Sequence, residues 1–156
     1  MGVSGCGKTT IGKLLAERLG WVFIEGDDYH SQANIQKMSG GIPLNDVDRW
    51  PWLEQLNELM KAYTRQDISF ILSCSALKQS YRDLLKSGVE NVRFVYLKGS
   101  FDLILDRMRN RQHYMKTGML KSQFDTLEEP STALVIAIDA SAFEISEDII
   151  SKLKLE

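Results

Sequence analysis

Four short apolar runs along the chain have the pattern of buried β-strands. They span residues 21–24, 68–72, 92–97 and 134–138, and most of their residues are β-branched or aromatic. Between and beside these runs, apolar residues recur at helical spacing, which predicts helices near 7–19, 48–65, 79–87, 100–111, 117–127 and 144–154. Strands that alternate with helices indicate a parallel sheet with helical crossovers, so we predict an α/β fold.

Length, charge and cysteine content indicate which classes of protein the chain does not resemble. The chain has 156 residues, the size of one domain, and 19 Lys and Arg against 21 Asp and Glu. That near balance predicts no basic surface for nucleic acid, and no apolar run has the length of a membrane helix. Two cysteines, Cys6 and Cys74, are too few for a disulfide scaffold or a zinc site. We expect one domain over residues 1–156, cytoplasmic, with no nucleic-acid or membrane partner.

Residues 2–9 read Gly-Val-Ser-Gly-Cys-Gly-Lys-Thr, which matches the phosphate-loop pattern G-x-x-x-x-G-K-[ST]. Glycines let successive backbone N–H groups point at phosphate oxygens, and the following helix adds its partial positive charge. Lys8 would then bridge the β- and γ-phosphates of ATP, and the Thr9 hydroxyl would ligate Mg²⁺. The predicted ATP-binding residues of this loop are Gly2, Val3, Ser4, Gly5, Cys6, Gly7, Lys8, Thr9 and Thr10.

A phosphate loop normally follows a buried strand, whereas here only Met1 precedes Gly2. We therefore expect the sheet formed by residues 1–156 to lack its first strand, which is central in this architecture. Backbone groups of the two neighbouring strands would then be unpaired, and each costs about 1–3 kcal/mol if it is buried and unsatisfied.

Two carboxylates follow the first apolar run, at Asp27 and Asp28. Side chains at the carboxyl end of a parallel strand face the crevice where ligands bind. An aspartate there can accept the proton of an attacking hydroxyl or help to hold hydrated Mg²⁺. The alternative is a solvated turn in which an aspartate caps the next helix. Asp27 is the candidate catalytic base, and His30 beside it is a candidate substrate ligand.

Three cations are candidates for an acidic acceptor. Arg49 lies in the first turn of a predicted helix, where a cation is unfavourable by roughly 0.3–1 kcal/mol, so we expect it to have an acidic partner in a ligand or in the protein. Lys78 and Arg82 are four residues apart and would share one helix face after the second apolar run. A solvated basic face is the ordinary explanation for such a pair. Beside a phosphate site, the pair would instead bind a small acidic molecule that carries hydroxyls.

A basic segment between two predicted helices has two interpretations. Its cations are Arg107, Arg109, Arg111, His113 and Lys116. They could close over ATP as a lid, because a kinase must exclude water from the transferred phosphate. They could equally be an exposed helix end, where cations complement the helix dipole.

Six stretches of the chain together carry a family pattern. They are GVSGCGKTTIG (2–12), EGDDYH (25–30), NIQKMSGGIPLNDVDRWPWL (34–53), CSALKQSYRDLL (74–85), VYLKGSFDLI (95–104) and MLKSQFDTLEEP (119–130). In these stretches the chain resembles the small phosphate-loop gluconokinases, which are related to shikimate kinases and nucleoside monophosphate kinases. The second to fourth stretches are more specific than the phosphate loop alone.

The resemblance implies ATP-dependent phosphorylation of D-gluconate at its 6-hydroxyl, giving 6-phosphogluconate. It also implies a three-layer phosphate-loop kinase sandwich with strand order 2-3-1-4-5, a substrate-closing helical segment near 31–65 and a lid near 107–125. A homodimer is compatible with it. There are two alternatives. The chain could be a phosphate-loop kinase of another small acceptor, such as shikimate, or a nucleotide-binding remnant with impaired catalysis.

The resemblance also assigns roles to residues of this chain. Lys8 and Thr9 take the phosphate and Mg²⁺ roles, and Asp27 becomes the base and a ligand of gluconate hydroxyls. The implied sugar-acid contacts are His30, Arg49, Lys78 and Arg82, and the implied lid and nucleotide contacts are Arg107 and Arg111.

Overall fold

The computed structural model describes residues 1–110 and 117–155. Its helices are α1 (Lys8–Leu19), α2 (Gln32–Ser39), α3 (Asp46–Arg65), α4 (Gln79–Lys86), α5 (Phe101–Arg109), α6 (Thr117–Thr126) and α7 (Ala142–Leu153). Its strands are β1 (Val22–Glu25), β2 (Phe70–Ser73), β3 (Val95–Lys98) and β4 (Leu134–Ala137). A 3-10 turn, Gly26–Tyr29, follows β1.

The strands form two parallel pairs. β1 pairs with β2, with Val22 opposite Phe70, and β3 pairs with β4, with Val95 opposite Leu134. Within residues 1–110 and 117–155, no strand lies between β2 and β3. Parallel strands flanked by helices confirm the predicted α/β class, and the two pairs agree with an order 2-3-1-4-5 from which the central strand is missing.

Met1 and Gly2 connect the two strand pairs at one end. The Met1 amino group donates to the Val95 carbonyl at 2.6 Å, and the Leu97 N–H donates to the Met1 carbonyl at 3.0 Å. On the other side, the Gly2 N–H donates to the Ser75 carbonyl at 3.1 Å. The chain therefore enters the phosphate loop between the carboxyl ends of β2 and β3.

The helices cover the strands and bury a common core. α1 packs on β1, on β2 and against α7, while α3 packs against α4 and the 3-10 turn. Leu53 and Leu56 of α3, Ile104 of α5 and Leu120 of α6 are completely buried. Among the described residues, no helix combines the length and the apolarity that crossing a membrane requires.

Candidate active site

The phosphate loop curls tightly before α1 begins at Lys8. Gly5 has a positive φ of 80°, which other residues rarely adopt, and a Cβ there would lie 2.7 Å from the Met108 Cγ atom, so a larger residue would strain the loop and displace the Met108 side chain. Gly7 precedes the helix with a φ of 99°, and no side chain caps the amino end of α1. The N–H groups of this helix end are consequently available to an anion, as the motif predicts.

The two chemical side chains of the loop have defined partners. The Lys8 ammonium donates to the Gly2 and Val3 carbonyls, both at 3.0 Å, so it lies folded over the loop. The Thr9 hydroxyl donates to the Glu25 carboxylate at 2.5 Å. That bond ties the phosphate loop to the carboxyl end of β1, two residues before Asp27. Sequence reasoning did not single out Glu25, although it lies within the EGDDYH stretch.

A side chain from α6 also contacts the phosphate loop. The Gln123 side-chain oxygen accepts a hydrogen bond from the Ser4 N–H at 2.6 Å. Gln123 thereby occupies one of the loop donors that the motif assigns to phosphate. Sequence reasoning missed it, because 119 residues separate the two partners and a glutamine carries no motif of its own.

Asp27 and His30 lie together on the 3-10 turn after β1. The Asp27 side chain is 73% exposed, and its carboxylate is 3.7 Å from the His30 Nε2 atom. The His30 ring is buried and stacks on Trp52 with 4.0 Å between ring centroids. Burial lowers the pKa of His30, and the nearby Arg49 cation lowers it further, against the opposing effect of Asp27. His30 is therefore neutral at pH 7, with an exposed carboxylate beside it.

A cavity of about 550 Å³ opens beside this turn, and we call it the acceptor cavity. Its lining includes Asp28 and His30 from the turn, Asn34 from α2, and Asp48 and Trp52 from α3. Two buried contacts hold these walls together: the Trp52 indole N–H donates to the Gly26 carbonyl at 2.8 Å, and the Asn34 amide donates to the Asp48 carbonyl at 2.9 Å. Of the five predicted acceptor residues, all within the described chain, His30 alone is part of this lining.

Arg49 and Lys78 belong to a polar cluster between α3 and α4. Arg49 is buried, donates to the Tyr81 hydroxyl at 3.4 Å and lies 5.6 Å from the centroid of the Tyr81 ring. The Tyr81 hydroxyl donates to Asp46, which also accepts from the Lys78 ammonium at 3.1 Å. The hydrogen bond from Tyr81 and then that from Lys78 lower the pKa of Asp46. The sequence led us to expect an acidic partner for Arg49, whereas its side chain donates to a phenol in this structure. Sequence reasoning gave neither Asp46 nor Tyr81 a role in this cluster.

Arg82 has a different environment from Lys78. Lys78 is the extended residue that precedes α4, and Arg82 lies in the first turn of that helix. Its buried guanidinium donates to four protein oxygens: the carbonyls of Ala76 at 2.8 Å, Leu77 at 3.1 Å and Glu128 at 2.9 Å, and the Gln79 side chain at 3.1 Å. These bonds fix the segment between β2 and α4 against the segment after α6. Its contact with substrate stays a prediction.

The lid residues are only partly described. Arg107 is half-buried in the last turn of α5, and α6 forms the second part of the predicted lid at 107–125. Arg111 lies outside the described residues. The role of both arginines stays a prediction.

One hydrogen bond joins the phosphate loop to the strand end from which the acidic turn follows. The Thr9 hydroxyl donates to Glu25 at the end of β1, and the 3-10 turn with Asp27 and Asp28 follows directly. This turn carries the exposed Asp27 carboxylate. That arrangement suits transfer of a phosphoryl group to a hydroxyl.

Comparison with known proteins identifies the family of the chain. Residues 4–153 match the shikimate kinase family. The thermoresistant gluconokinase of Escherichia coli is 47% identical over 144 residues, which cover 89% of this chain and 82% of that protein. This chain belongs to the gluconokinases. The thermosensitive gluconokinase of the same organism is 51% identical over 132 residues, covering 83% of this chain and 70% of the relative.

Solved structures confirm the phosphate-loop kinase fold of this gluconokinase family member. A gluconokinase from Sinorhizobium meliloti is 40% identical, with a TM-score of 0.91, over 99% of this chain and 89% of its own. An unliganded sugar kinase from Janibacter is 43% identical, with a TM-score of 0.93, over 99% and 92% of the two chains. The resemblance inferred from the sequence motifs is therefore confirmed.

Proposed function

We propose that the chain transfers the γ-phosphoryl group of ATP to the 6-hydroxyl of D-gluconate, giving 6-phospho-D-gluconate. The relatives named gluconokinases support this reaction, since they match most of the chain at 47% and 51% identity. The observation that carries it in the structure is the hydrogen bond between Thr9 and Glu25. It joins the phosphate loop to the turn that presents Asp27.

On the nucleotide side, we propose that residues 2–10 surround the phosphates with backbone N–H groups. The Lys8 ammonium would leave the Gly2 and Val3 carbonyls and move onto the β- and γ-phosphates. Arg107 and Arg111 would contribute positive charge from the lid. Because the transition state is loose, this charge and the alignment of the two substrates supply most of the acceleration.

The residues at the base of the loop fit Mg²⁺. Thr9 and Glu25 bring two oxygen atoms within 2.5 Å of each other, and Mg²⁺ binds through one or two protein oxygens together with phosphate oxygens and waters. In the proposed site, Thr9 is the direct ligand, and Glu25 holds its hydroxyl in place. The ion would supply charge neutralisation between the β- and γ-phosphates.

On the acceptor side, we propose that Asp27 accepts the proton of the attacking hydroxyl. Its exposed carboxylate is free to reach a ligand, whereas neutral His30 beside it can donate or accept a hydrogen bond from a sugar hydroxyl. Arg49 and Lys78 are the proposed partners of the gluconate carboxylate. In this proposal the Lys78 ammonium leaves the Asp46 carboxylate and binds the carboxylate of gluconate. Arg82 holds the backbone between β2 and α4 from which Lys78 projects.

The same proposal covers the larger units. Residues 1–156 form one kinase domain, in which α2 and α3 belong to the substrate-closing segment 31–65, and residues 107–125 form the lid. In this proposal the enzyme is cytoplasmic, and its substrates are ATP and gluconate. Assembly into a homodimer is an expectation that sedimentation of the purified chain tests.

A coupled ADP-release assay tests the proposed reaction. With ATP, Mg²⁺ and the 156-residue chain, D-gluconate should give ADP in proportion to 6-phosphogluconate, which 6-phosphogluconate dehydrogenase detects independently. Shikimate, a second aldonate and a nucleoside monophosphate are the comparison acceptors. ADP release with one of these and none with gluconate would reassign the acceptor. ATP binding without ADP release from any acceptor would mark a nucleotide-binding protein instead.

A further inference from the structure

The imidazole ring of His30 is held in one plane in the wall of the acceptor cavity. Its side chain is 4% exposed and stacks on Trp52, with 4.0 Å between ring centroids and 22° between ring planes. Trp52 is fixed in turn, because its indole N–H donates to the Gly26 carbonyl at 2.8 Å. The groups at the edge of the imidazole ring then decide what its two nitrogen atoms can do.

Asn34 faces the Nδ1 atom of His30. Asn34 is buried, and its amide nitrogen donates to the Asp48 carbonyl at 2.9 Å. A carbonyl oxygen only accepts hydrogen bonds, so this contact fixes which end of the amide is the nitrogen. The same nitrogen lies 3.4 Å from His30 Nδ1 and carries a second hydrogen. Because the amide nitrogen is only a donor, Nδ1 must be the acceptor, and the proton of the neutral ring is therefore on Nε2.

The Nε2 atom of His30 faces Asp27. The distance to the Asp27 carboxylate is 3.7 Å, which is longer than a hydrogen bond. A hydroxyl group between the two can accept from the Nε2 N–H and donate its own hydrogen to the carboxylate. In the opposite tautomer, two acceptors would face the single hydrogen of that hydroxyl. The tautomer of His30 thus decides whether the ring supports or opposes binding of a hydroxyl beside Asp27.

We propose that Asn34 is a positioning residue, which holds His30 in the Nε2–H tautomer so that His30 and Asp27 together bind one hydroxyl of the acceptor. The hydroxyl contact rests on the proposed function, whereas the tautomer is a property of the chain without substrate. In this arrangement His30 is the donor and Asp27 the acceptor. An acceptor position without a hydroxyl would satisfy neither group.

The charges around His30 keep the ring neutral. They are carried by Asp27 and Asp28 on its own turn, by Lys37 on α2, and by Asp48 and Arg49 on α3. Lys37 and Asp48 pair with each other at 2.7 Å. Burial lowers the pKa of His30 and Arg49 lowers it further, although Asp27 opposes them. Since Nε2 carries a proton in both the neutral and the charged ring, titration of His30 should leave the hydroxyl contact unchanged.

Nitrogen-15 NMR of the 156-residue chain at pH 7.5, without ligands, tests the tautomer directly. In long-range proton–nitrogen spectra, Nε2 correlates with both carbon-bound ring protons, and the nitrogen without a proton resonates far downfield. We expect Nδ1 to be the downfield nitrogen. The chain has two histidines, so a His113→Gln variant identifies the signals of His30. Asn34→Ala should bring the two nitrogen shifts closer together, because the tautomers then mix.

Asn34→Asp reverses the hydrogen bond at Nδ1. The new carboxylate accepts from Nδ1 and should raise the pKa of His30 by about 1–3 units. Above that pKa, the neutral ring keeps its proton on Nδ1, and Nε2 no longer donates to the hydroxyl. Calorimetric titration of gluconate, with Mg²⁺ and a nonhydrolysable ATP analogue present, measures the consequence without turnover. Relative to the wild type, the gluconate Kd of this variant should rise with pH, by up to about tenfold.

Gln36→Glu is the matched control for the added charge. Gln36 is an exposed amide two residues further along α2. Its replacement makes the same change from amide to carboxylate away from the His30 ring. The pH dependence of the gluconate Kd should therefore be parallel to that of the wild type between pH 6 and pH 9.

Three results would contradict the proposal. A downfield Nε2 in the wild type would show the opposite tautomer. An unchanged Nε2–H tautomer in Asn34→Ala would mean that Asn34 does not set it, and this result needs no folded Asn34→Asp chain. Parallel pH profiles of Asn34→Asp and the wild type would remove the hydroxyl contact of His30. If the wild type had the Nε2–H tautomer, lost it in Asn34→Ala and bound no gluconate, the positioning role of Asn34 would be confirmed and the proposed function would be wrong.

Discussion

At the scale of single residues, the contacts of Lys8 allow its role in binding phosphate to be separated from any role in stability. Its ammonium donates to two carbonyls of its own loop, and water molecules can donate to these carbonyls in its place. Lys8→Met should therefore leave the melting temperature nearly unchanged while it lowers kcat by about 10²–10³-fold, as for the loss of one preorganised charge. Steady-state ADP release and a thermal melt measure both quantities.

Lys13→Met is the matched control for that variant. Lys13 is an exposed lysine on the same helix, with its ammonium 5.8 Å from the Phe23 ring centroid. It should retain wild-type kcat. If Lys8→Met turned over at a normal rate, the phosphate role of Lys8 would be wrong.

Asp27 and Asp28 are adjacent carboxylates with different surroundings, so they can be separated by mutation. Asp27→Asn keeps the shape and the hydrogen-bonding capacity of the side chain but removes the base. We expect the gluconate KM to change little and kcat to fall by about 10²–10⁴-fold. The comparison is Asp28→Asn, whose side chain belongs to the acceptor cavity. A larger kcat loss there than at Asp27 would move the base to Asp28.

The sequence predicted those residues whose chemistry is carried by a local motif. The phosphate loop is contiguous, and its glycines, Lys8 and Thr9 have fixed roles in the pattern. Glu25, Gln123 and Tyr81 could not be assigned in the same way. Their roles depend on partners that are 16, 119 and 35 residues away in the chain, and only the fold brings these pairs together.

At the scale of elements, α3 and α4 are joined by a buried amide. The Asn57 side chain donates to the Leu85 carbonyl at 2.8 Å and to the Ser87 carbonyl at 2.9 Å, just where α4 ends. Asn57→Ala leaves both carbonyls without this donor, so the free energy of unfolding should fall by about 1–3 kcal/mol. Urea denaturation measures the change.

Gln55→Ala is the control, because Gln55 is an exposed amide on the same helix. Its free energy of unfolding should differ from that of the wild type by less than about 0.5 kcal/mol. Equal losses in the two variants would contradict the assigned role of Asn57.

The elements that sequence periodicity predicted are those with enough apolar residues to show a period. All four strands are found, although β3 begins at Val95 rather than at residue 92. Periodicity did not predict α2, which lies in the helical segment 31–65 that the family resemblance implied. Only two of its residues between Gln32 and Ser39 are large and apolar, and its start depends on a cap in which Ser31 accepts from the Asn34 N–H at 3.1 Å. Its contacts with α3 are polar, from Asn34 and Lys37 to Asp48, and hydrophobic periodicity does not report such contacts.

At the scale of the whole molecule, the division into two strand pairs places an ionisable group in the interior. The Met1 amino group lies between the pairs, and burial lowers its pKa from about 8 to about 6. That no strand of the described residues lies between β2 and β3 agrees with the expectation from the sequence. That the amino group would be buried there was not evident from the sequence, because burial depends on how closely β2 and β3 approach.

This burial predicts a specific pH dependence of stability. Between pH 6 and pH 8, the Met1 amino group of the unfolded chain binds a proton that the folded chain does not bind. The free energy of unfolding of the 156-residue chain should therefore rise with pH across this window, by up to about 2–3 kcal/mol, and this contribution should be constant below and above it. Urea denaturation at half-unit intervals from pH 5.5 to pH 8.5 measures the rise.

Acetylation of the Met1 amino group separates this effect from every other titration. His30 also has a lowered pKa, so its titration likewise makes the free energy of unfolding rise with pH. This contribution is the same in the free and the acetylated chain and cancels in their difference. The difference between the free and the acetylated chain should thus change between pH 6 and pH 8 and be flat outside that range. Parallel curves over the whole range would mean that the amino group is solvated, in which case β2 and β3 do not enclose it.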